Sequence, residues 1–334
     1  HIALISRNAS PADARVRALE QMGIQVMAIQ ADVSQTDQAA SALRLIETTM
    51  PPLRGIIHAA GVVEDGLING APTPSDGFMN GVSTPDWTRF ERVLAPKIEG
   101  AWNLHSLTQT QSLDFFVCFS STASIFGSPG QGNYAAANAF LDALTHYRQA
   151  KGLPALTINW GPWDTIGMTA TVHERSKKRW AARGIALLAP SQGIEALASL
   201  LQKRVSQVTV LRIDWSRFSD TSGINAAHTI PALFAELVQE IQPQAPSIHV
   251  PHPVQPRPIE QFLALEHDLR PGFICTILRR RAGHILGMNP QEVSLQRNLL
   301  ELGMDSLMMM EVIHSIKQDF QLTLYPREVY EHPS

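Results

Sequence analysis

Cysteine is scarce in this sequence, with only Cys118 and Cys275 in 334 residues. They stand far apart in unlike contexts, with no Cys-x-x-Cys pair and no His/Cys spacing suited to zinc. A disulfide scaffold and a structural zinc are therefore excluded, no metal is expected, and a reducing, cytoplasmic setting fits. No apolar run approaches the roughly 18 residues a membrane span needs, and nothing at the start reads as a signal peptide, so a soluble protein is expected. Charge blocks are missing too: the net charge is −3, and no five or six like charges stand together. That balance argues against nucleic-acid and anionic-membrane partners. The short runs "SKKRW" (176–180) and "RRR" (279–281) read as solvated helix faces.

The sequence does hold a globular composition, 44% hydrophobic and 17% charged, and enough length for one large and one small domain. Apolar, β-branched runs at 2–6, 25–32, 55–61, 115–121, 155–161 and 207–215 alternate with amphipathic stretches near 11–20, 36–48, 86–105, 133–150 and 191–204. Continuous rather than alternating hydrophobicity in the strands implies burial on both faces, as in a parallel sheet covered by helices. The predicted class is α/β, a doubly wound, Rossmann-like parallel sheet, followed by a small all-α bundle.

The boundaries follow from composition. Residues 243–258 hold six prolines in sixteen positions, too many for helix or sheet ladders. The division is thus 1–242 for the α/β part, 243–268 for a proline-rich linker and 269–334 for the helical part, where two amphipathic patterns flank a loop. Because "HIALISR" already reads as a buried strand, the chain is expected to be a piece of a longer polypeptide.

In "FSSTASIFGSPGQGNYAAANAFLDAL", Tyr134 stands thirteen residues after Ser121 and four before Asn138. Four residues make about one helical turn, so Tyr134 and Asn138 share a face, and the glycine-rich loop 127–132 turns the chain back over it. A phenol with an ordinary pKa near 10 is a poor proton donor at neutral pH unless a cation lies close. Lys97 in "VLAPKIEGAWNLH" is the candidate cation. Ser120 is expected to point to the other face of its strand and to be structural.

With "HAAGV", "LAPKIEGAWNLH", "YAAANAFLDAL" and "INWGPW", residues 1–240 resemble the ketoreductase domains of modular polyketide synthases, a branch of the short-chain dehydrogenase/reductase family. The resemblance implies that Tyr134 donates a proton to the substrate carbonyl oxygen, that Ser121 polarises that oxygen, and that Lys97 and Asn138 tune the tyrosine and hold a relay water. It also implies a nicotinamide cofactor, because no side chain supplies two electrons. Arg7, after the first strand, can pair with a 2′-phosphate and favours NADPH over NADH. Asp32 and Val33 match the residues that contact adenine, with a helix N-cap as the other role open to Asp32. Ala59, Ala60 and Gly61 are expected along the cofactor. The family's glycine-rich phosphate loop would precede residue 1, so this stretch alone is not expected to bind NADPH well. Val63, Glu64 and Asp65 stand where some relatives carry Leu-Asp-Asp, and Phe126 stands where the opposite stereochemical class has tryptophan; the lean is to the Leu-Asp-Asp-like class. The Gly/Pro/Ser-rich segment 69–87 reads as a surface loop.

"NLLELGMDSLMMMEV" resembles the attachment motif of acyl carrier proteins, which implies that Ser306 receives 4′-phosphopantetheine from a phosphopantetheinyl transferase. A helix start exposes a serine and favours a phosphate there. For an isolated "DS", Asp305 or Ser306 would simply cap the helix. Met308, Met309 and Met310 cannot all face one way, so at least one is expected in the core. The sequence stops before the last helix expected of such a domain.

Together these implications predict reduction of a β-ketoacyl thioester to a β-hydroxyacyl thioester, with other polyketide synthase domains as partners. Two rivals remain: a redox-silent reductase scaffold with a working carrier, and a free-standing short-chain dehydrogenase with a helical tail.

Overall fold

The six apolar segments all form strands in a computed structural model, which adds a short one at Ile185–Ala186 and describes residues 1–64, 87–128, 130–167, 177, 180–182, 184–215, 217–218, 258–286, 288–294, 296–299, 302, 304 and 306–322. The chain divides into two compact units, one of His1–Ile68, Pro85–Val172 and Ile185–Ile213, the other of Asn69–Thr84, His173–Gly184 and Asp214–Ser334.

The first unit runs β1 (Ile2–Ser6), α1 (Ala14–Gln21), β2 (Val26–Gln30), α2 (Thr36–Thr49), β3 (Gly55–His58), α3 (Trp87–Leu94), α4 (Ile98–Leu107), β4 (Phe115–Ser121), α5 (Ala123–Phe126), α6 (Gly132–Ala150), β5 (Leu156–Trp160), β6 (Ile185–Ala186), α7 (Pro190–Leu201), β7 (Gln207–Val210) and β8 (Arg212–Ile213). Strands β3, β4, β5 and β7 pair in that order, all parallel, and β1 pairs with β2, also parallel. This is the Rossmann-like α/β class the patterning predicts.

Strand alternation sorts the core onto two faces of the four-stranded sheet. Phe116 and Cys118 pack with Ala101 and Leu104 of α4 and Leu141 and Leu144 of α6. Val117, Ile158 and Trp160 turn the other way and pack with Leu200 of α7. Complete burial of a side chain such as Ile158 contributes about 1.5–3 kcal/mol.

Burial on both faces holds for β5, whose five residues are all buried, but not for β1, where exposed and half-buried positions alternate. Leu4 is 38% exposed and Ile57 of β3 is 48% exposed. Among the described residues β1 pairs only with β2 and β3 only with β4; side chains leave the faces of a sheet rather than its edges, so an outward position is exposed where no helix covers its face. The 86–105 stretch is likewise two helices. Pro96 lacks the N–H an interior helix residue needs, and the break puts Lys97 at the N-cap of α4. The strand predicted at 207–215 stops at Val210, and Arg212–Ile213 pairs antiparallel with Ile185–Ala186.

The second unit contains α8 (Pro258–Ala264), α9 (Arg270–Leu286) and α10 (Ser306–Phe320), with 3-10 turns at His267–Leu269 and Pro290–Glu292. Helix α8 lies inside the stretch read as linker. Proline is well tolerated in a first helical turn, and Ile259 and Phe262 pack against the α9–α10 core. Phe262 meets Phe320 edge-on at 6.0 Å. Met308 and Met309 are both core residues, and Met309 is completely buried. The "RRR" run is not a uniform solvated face. Arg281 forms a bidentate pair with the buried Asp319 at 2.8 and 2.6 Å, joining α9 to α10, and Arg279 is half-buried.

Among the described residues no helix is long and apolar enough to cross a membrane, and no group of three His, Cys, Asp or Glu side chains could hold a metal. Asp65, Asp305, most of 176–180 and residues 69–86 and 243–257 lie outside the described residues.

Met309→Ala should destabilise the helical unit by about 2–5 kcal/mol, the range for large-to-small core changes. Met22, 75% exposed on the surface of the first unit, should tolerate the same change within about 0.5 kcal/mol. Urea midpoints read by hydrogen exchange in each unit measure the difference.

Candidate active site and carrier serine

Lys97 is brought to its place by the break between α3 and α4 and is 2% exposed. Its Nζ donates to the Phe119 carbonyl at 2.8 Å and lies 5.8 Å from the centre of the Tyr134 ring. Gly61 makes room for it: a Cβ there would stand 3.0 Å from Lys97 Cε. Burial lowers the ammonium's pKa to about 8, opposed by Cys118 and by the Asp142 carboxylate. Burial also pushes the Cys118 thiol up to about 12, so it is uncharged where Lys97 titrates. His58 is driven down to about 4, by burial first and then by the Lys97 charge. It stays neutral and adds no second cation.

Tyr134 and Asn138 lie one turn apart on α6, 8% and 0% exposed. Tyr134 packs with Val93, Ala123 and Ala137, and half-buried Val63 lies against them. Asn138 Nδ2 donates to the Tyr134 carbonyl at 2.7 Å, while its buried Oδ1 has no protein partner. Ser121 ends β4, half-buried, and its Oγ accepts from the Ala123 amide at 3.1 Å. Between β4 and α6, Gly127 and Gly130 adopt φ values of 72° and 71°, a region other residues rarely enter. The four residues singled out in sequence thus converge on the β4 terminus and one face of α6. Ser120 bonds the Asn138 carbonyl at 3.3 Å and receives Asn159 Nδ2 at 3.1 Å, a structural role.

The expected cofactor residues sit at strand ends. Arg7 is exposed after β1, and its carbonyl accepts from Gln30 Nε2 at 3.0 Å. Asp32 Oδ1 accepts from the Ser34 amide at 2.9 Å and its hydroxyl at 2.7 Å. Asp32 does not cap α2, whose N-cap is Gln35. Val33 packs toward Gly100 of α4, where a Cβ would meet its Cγ2 at 3.0 Å. Ala59, Ala60 and Gly61 follow β3, and Ala59 is exposed. Glu64 pairs with Arg92 at 2.9 Å, and its carbonyl accepts from Asn133.

Two residues escaped the sequence reading. Asn103 donates from Nδ2 to the Val33 and Ser34 carbonyls at 2.9 and 3.1 Å and accepts from Thr36 at 3.0 Å, fastening the loop after β2 to the helix that Lys97 caps. Asp142 is the other, an acid in an apolar helical run eight residues after Tyr134; that spacing was its visible signal. In the second unit Ser306 is the first residue of α10.

A ketoreductase domain model matches residues 1–165, and a model for a phosphopantetheine attachment site matches residues 276–334. Phenolphthiocerol synthesis polyketide synthase type I Pks15/1 of Mycobacterium marinum is 30% identical over 100% of this chain and 15% of its own length. Polyketide synthase GfsE of Streptomyces halstedii is 33% identical over 99% of this chain and 8% of its own. A 31% identical relative from Mycobacterium tuberculosis, of which the chain covers 20%, carries the word inactive in its name. Among solved structures, the ketoreductase from the first module of phoslactomycin biosynthesis in Streptomyces sp. HK803 superposes with a TM-score of 0.58 at 30% identity, over 70% of this chain and 50% of that one. An A1-type ketoreductase gives 0.59 at 30% identity, over 72% and 47%. The chain thus spans a small part of these curated relatives and about half of the solved ketoreductases. With the two family models matched in this order along the chain and the relatives similar over its whole length, the chain belongs to the modular polyketide synthases, as a ketoreductase domain followed by a phosphopantetheine-attachment domain.

Proposed function

We propose that the first unit reduces a β-ketoacyl thioester to the β-hydroxyacyl thioester, and that Ser306 carries the phosphopantetheine arm holding that chain. The observation that carries this reading is a buried ammonium, Lys97, 5.8 Å from the ring of a buried phenol, Tyr134. A nearby cation favours the phenolate and so makes the phenol a stronger acid. Tyr134 gives its hydroxyl proton to the ketone oxygen as hydride arrives at the carbon, leaving a secondary alcohol. Ser121 hydrogen-bonds and polarises that oxygen. Asn138 presents its unpartnered Oδ1 to a water that returns a proton to Tyr134.

A bound nicotinamide supplies the hydride. The residues present suit it: Ala59, Ala60 and Gly61 leave the backbone after β3 open to a close approach, and exposed Arg7 offers a cation for a 2′-phosphate. That is the argument for NADPH over NADH. Asp32 and Val33 would hold the adenine, and Asn103 fixes their loop through the Val33 and Ser34 carbonyls. A phosphopantetheinyl transferase would load Ser306, other synthase domains would supply the chain, and the setting is cytoplasmic. Tethering gives an effective substrate concentration of about millimolar.

A redox-silent scaffold is the second reading, favoured by the relative whose name calls it inactive. Activity separates the two. The full-length polypeptide should oxidise NADPH in the presence of a β-keto thioester, and Tyr134→Phe should slow this by about 100-fold or more. Equal rates with and without the hydroxyl would leave the scaffold standing.

For the carrier role, incubation with coenzyme A and a phosphopantetheinyl transferase should add about 340 Da to the chain, the mass of the arm. Ser306→Ala should take up nothing; an unmodified wild type sinks the assignment.

The reduction rate should fall as pH rises through about 8, where Lys97 loses its charge. The stability effect has the opposite sense. Lys97 ordinarily titrates at 10.5, so between about 8 and 10.5 the unfolded chain binds more protons and rising pH favours the fold through this residue. A pH–rate profile beside denaturant midpoints at pH 7 and 9 checks both signs, with Lys97→Met expected to lose the pH dependence of stability.

A further inference from the structure

On β5 the positions facing α6 are Thr157 and Asn159, both completely buried, and the group they meet is the carboxylate of Asp142. Asp142 Oδ1 accepts from Thr157 Oγ1 at 3.0 Å, Oδ2 accepts from Ser124 Oγ at 2.7 Å, and Asn159 Nδ2 lies 3.0 Å from both oxygens. Ser124 Oγ is also 2.9 Å from the Ser121 carbonyl, and Asn159 Nδ2 reaches Ser120 Oγ at 3.1 Å. Asn159 is held in turn by Gln207 of β7, whose Nε2 donates to its Oδ1 at 3.1 Å. Asp142 therefore binds side chains from β5 and α5 and, through Ser124 and Asn159, the end of β4. Tyr134, Asn138 and Asp142 recur every four residues and line one stripe of α6.

An apolar side chain would fill this position at no desolvation cost, whereas a buried carboxylate needs its full set of donors. No cation among the described residues lies within salt-bridge distance of it. We propose that Asp142 is a positioning residue that clamps the Ser121 strand end to the Tyr134 stripe of α6. This rests on the reductase reading for its catalytic consequence and on geometry alone for the clamp. The Lys97 ammonium lies 5.8 Å from the Tyr134 ring of α6, and the titratable groups that act on it or feel it electrostatically are His58 from β3, Cys118 from β4 and Asp142 from α6, the last raising its pKa against burial. Burial holds the His58 imidazole down near 4 and the Cys118 thiol up near 12, so neither is charged near neutral pH.

Asp142→Asn in the full-length polypeptide tests both parts, with Ser124→Ala as a variant that cuts one tie and keeps the charge. Expected for Asp142→Asn are faster amide exchange across residues 120–126, a kcat lower by about 10- to 100-fold from misplaced groups, and an alkaline limb of the pH–rate profile moved down by about one pH unit. Ser124→Ala should speed the same exchange and lower kcat by about 3- to 10-fold, with the alkaline limb unmoved. Unchanged exchange at 120–126 in both variants overturns the clamp. Faster exchange with unchanged kcat and pH profile reduces Asp142 to a structural residue and overturns the positioning role. Should Asp142→Asn fail to fold, Ser124→Ala decides the clamp alone. A wild type that never oxidises NADPH overturns the reductase reading, while the exchange arm still decides the clamp.

Discussion

Lys97 holds an ammonium almost wholly out of water, and the elements around it are arranged under that constraint. An isolated buried charge costs several kcal/mol unless hydrogen bonds and an opposite charge offset it. Three features meet the demand. The helix break at Pro96 delivers the side chain inward, Gly61 leaves room for its stem, and the Phe119 carbonyl, two residues before Ser121 on β4, accepts a hydrogen bond from it at 2.8 Å. Because that acceptor belongs to β4, the lysine position is tied to the same strand end that presents the serine. Tyr134 then lies against a cation whose pKa, about 8, leaves it charged at neutral pH and close to losing its proton. A more exposed lysine would be charged over a wider range but screened from the phenol by water.

The parts of this arrangement legible in sequence are those set by local periodicity. "FFVCFSS" gives β4 because alternate residues are buried against different helices, Phe116 and Cys118 against α4 and α6 and Val117 against α7. The four-residue spacing of Tyr134 and Asn138 fixes their common face in the same way. Other features depend on partners distant in sequence. Nothing in "IALIS" tells whether both faces of the strand will be covered, and Leu4 stays exposed. Asn103 reads as an ordinary helix residue until the loop after β2 comes to rest on it, 67 to 70 residues away. Asp142 looks misplaced in "NAFLDAL" until Thr157 and Asn159 arrive from β5.

The helical unit shows the same division. That the methionine run must split between faces follows from helix geometry alone, and Met308 and Met309 both fall in the core. That Arg281 belongs to a pair, rather than to a basic face, depends on Asp319 lying across from it on α10. The proline density that marks the linker also hides its end: Pro258 reads as one more linker proline, yet it starts α8 because Ile259 and Phe262 find an apolar surface to cover.

The two sites make opposite demands on their reactive groups. A serine that is to be modified by another enzyme gains from the start of a helix, where it is reachable and where the helix favours a phosphate. A tyrosine that is to protonate a ketone gains from burial, because a low-dielectric surrounding makes the Lys97 charge count. Burial restricts what can reach it, with Tyr134 8% exposed and Lys97 2%. A flexible arm reconciles the two under the proposed reading. On that reading the serine and the tyrosine need not share one environment, and the reductase could hold its substrate weakly and still be supplied. Weak holding has its own chemical logic: interactions spent on binding the ketone would lower its ground state, whereas those proposed for Ser121 and Tyr134 would strengthen as charge gathers on the oxygen and so act on the barrier.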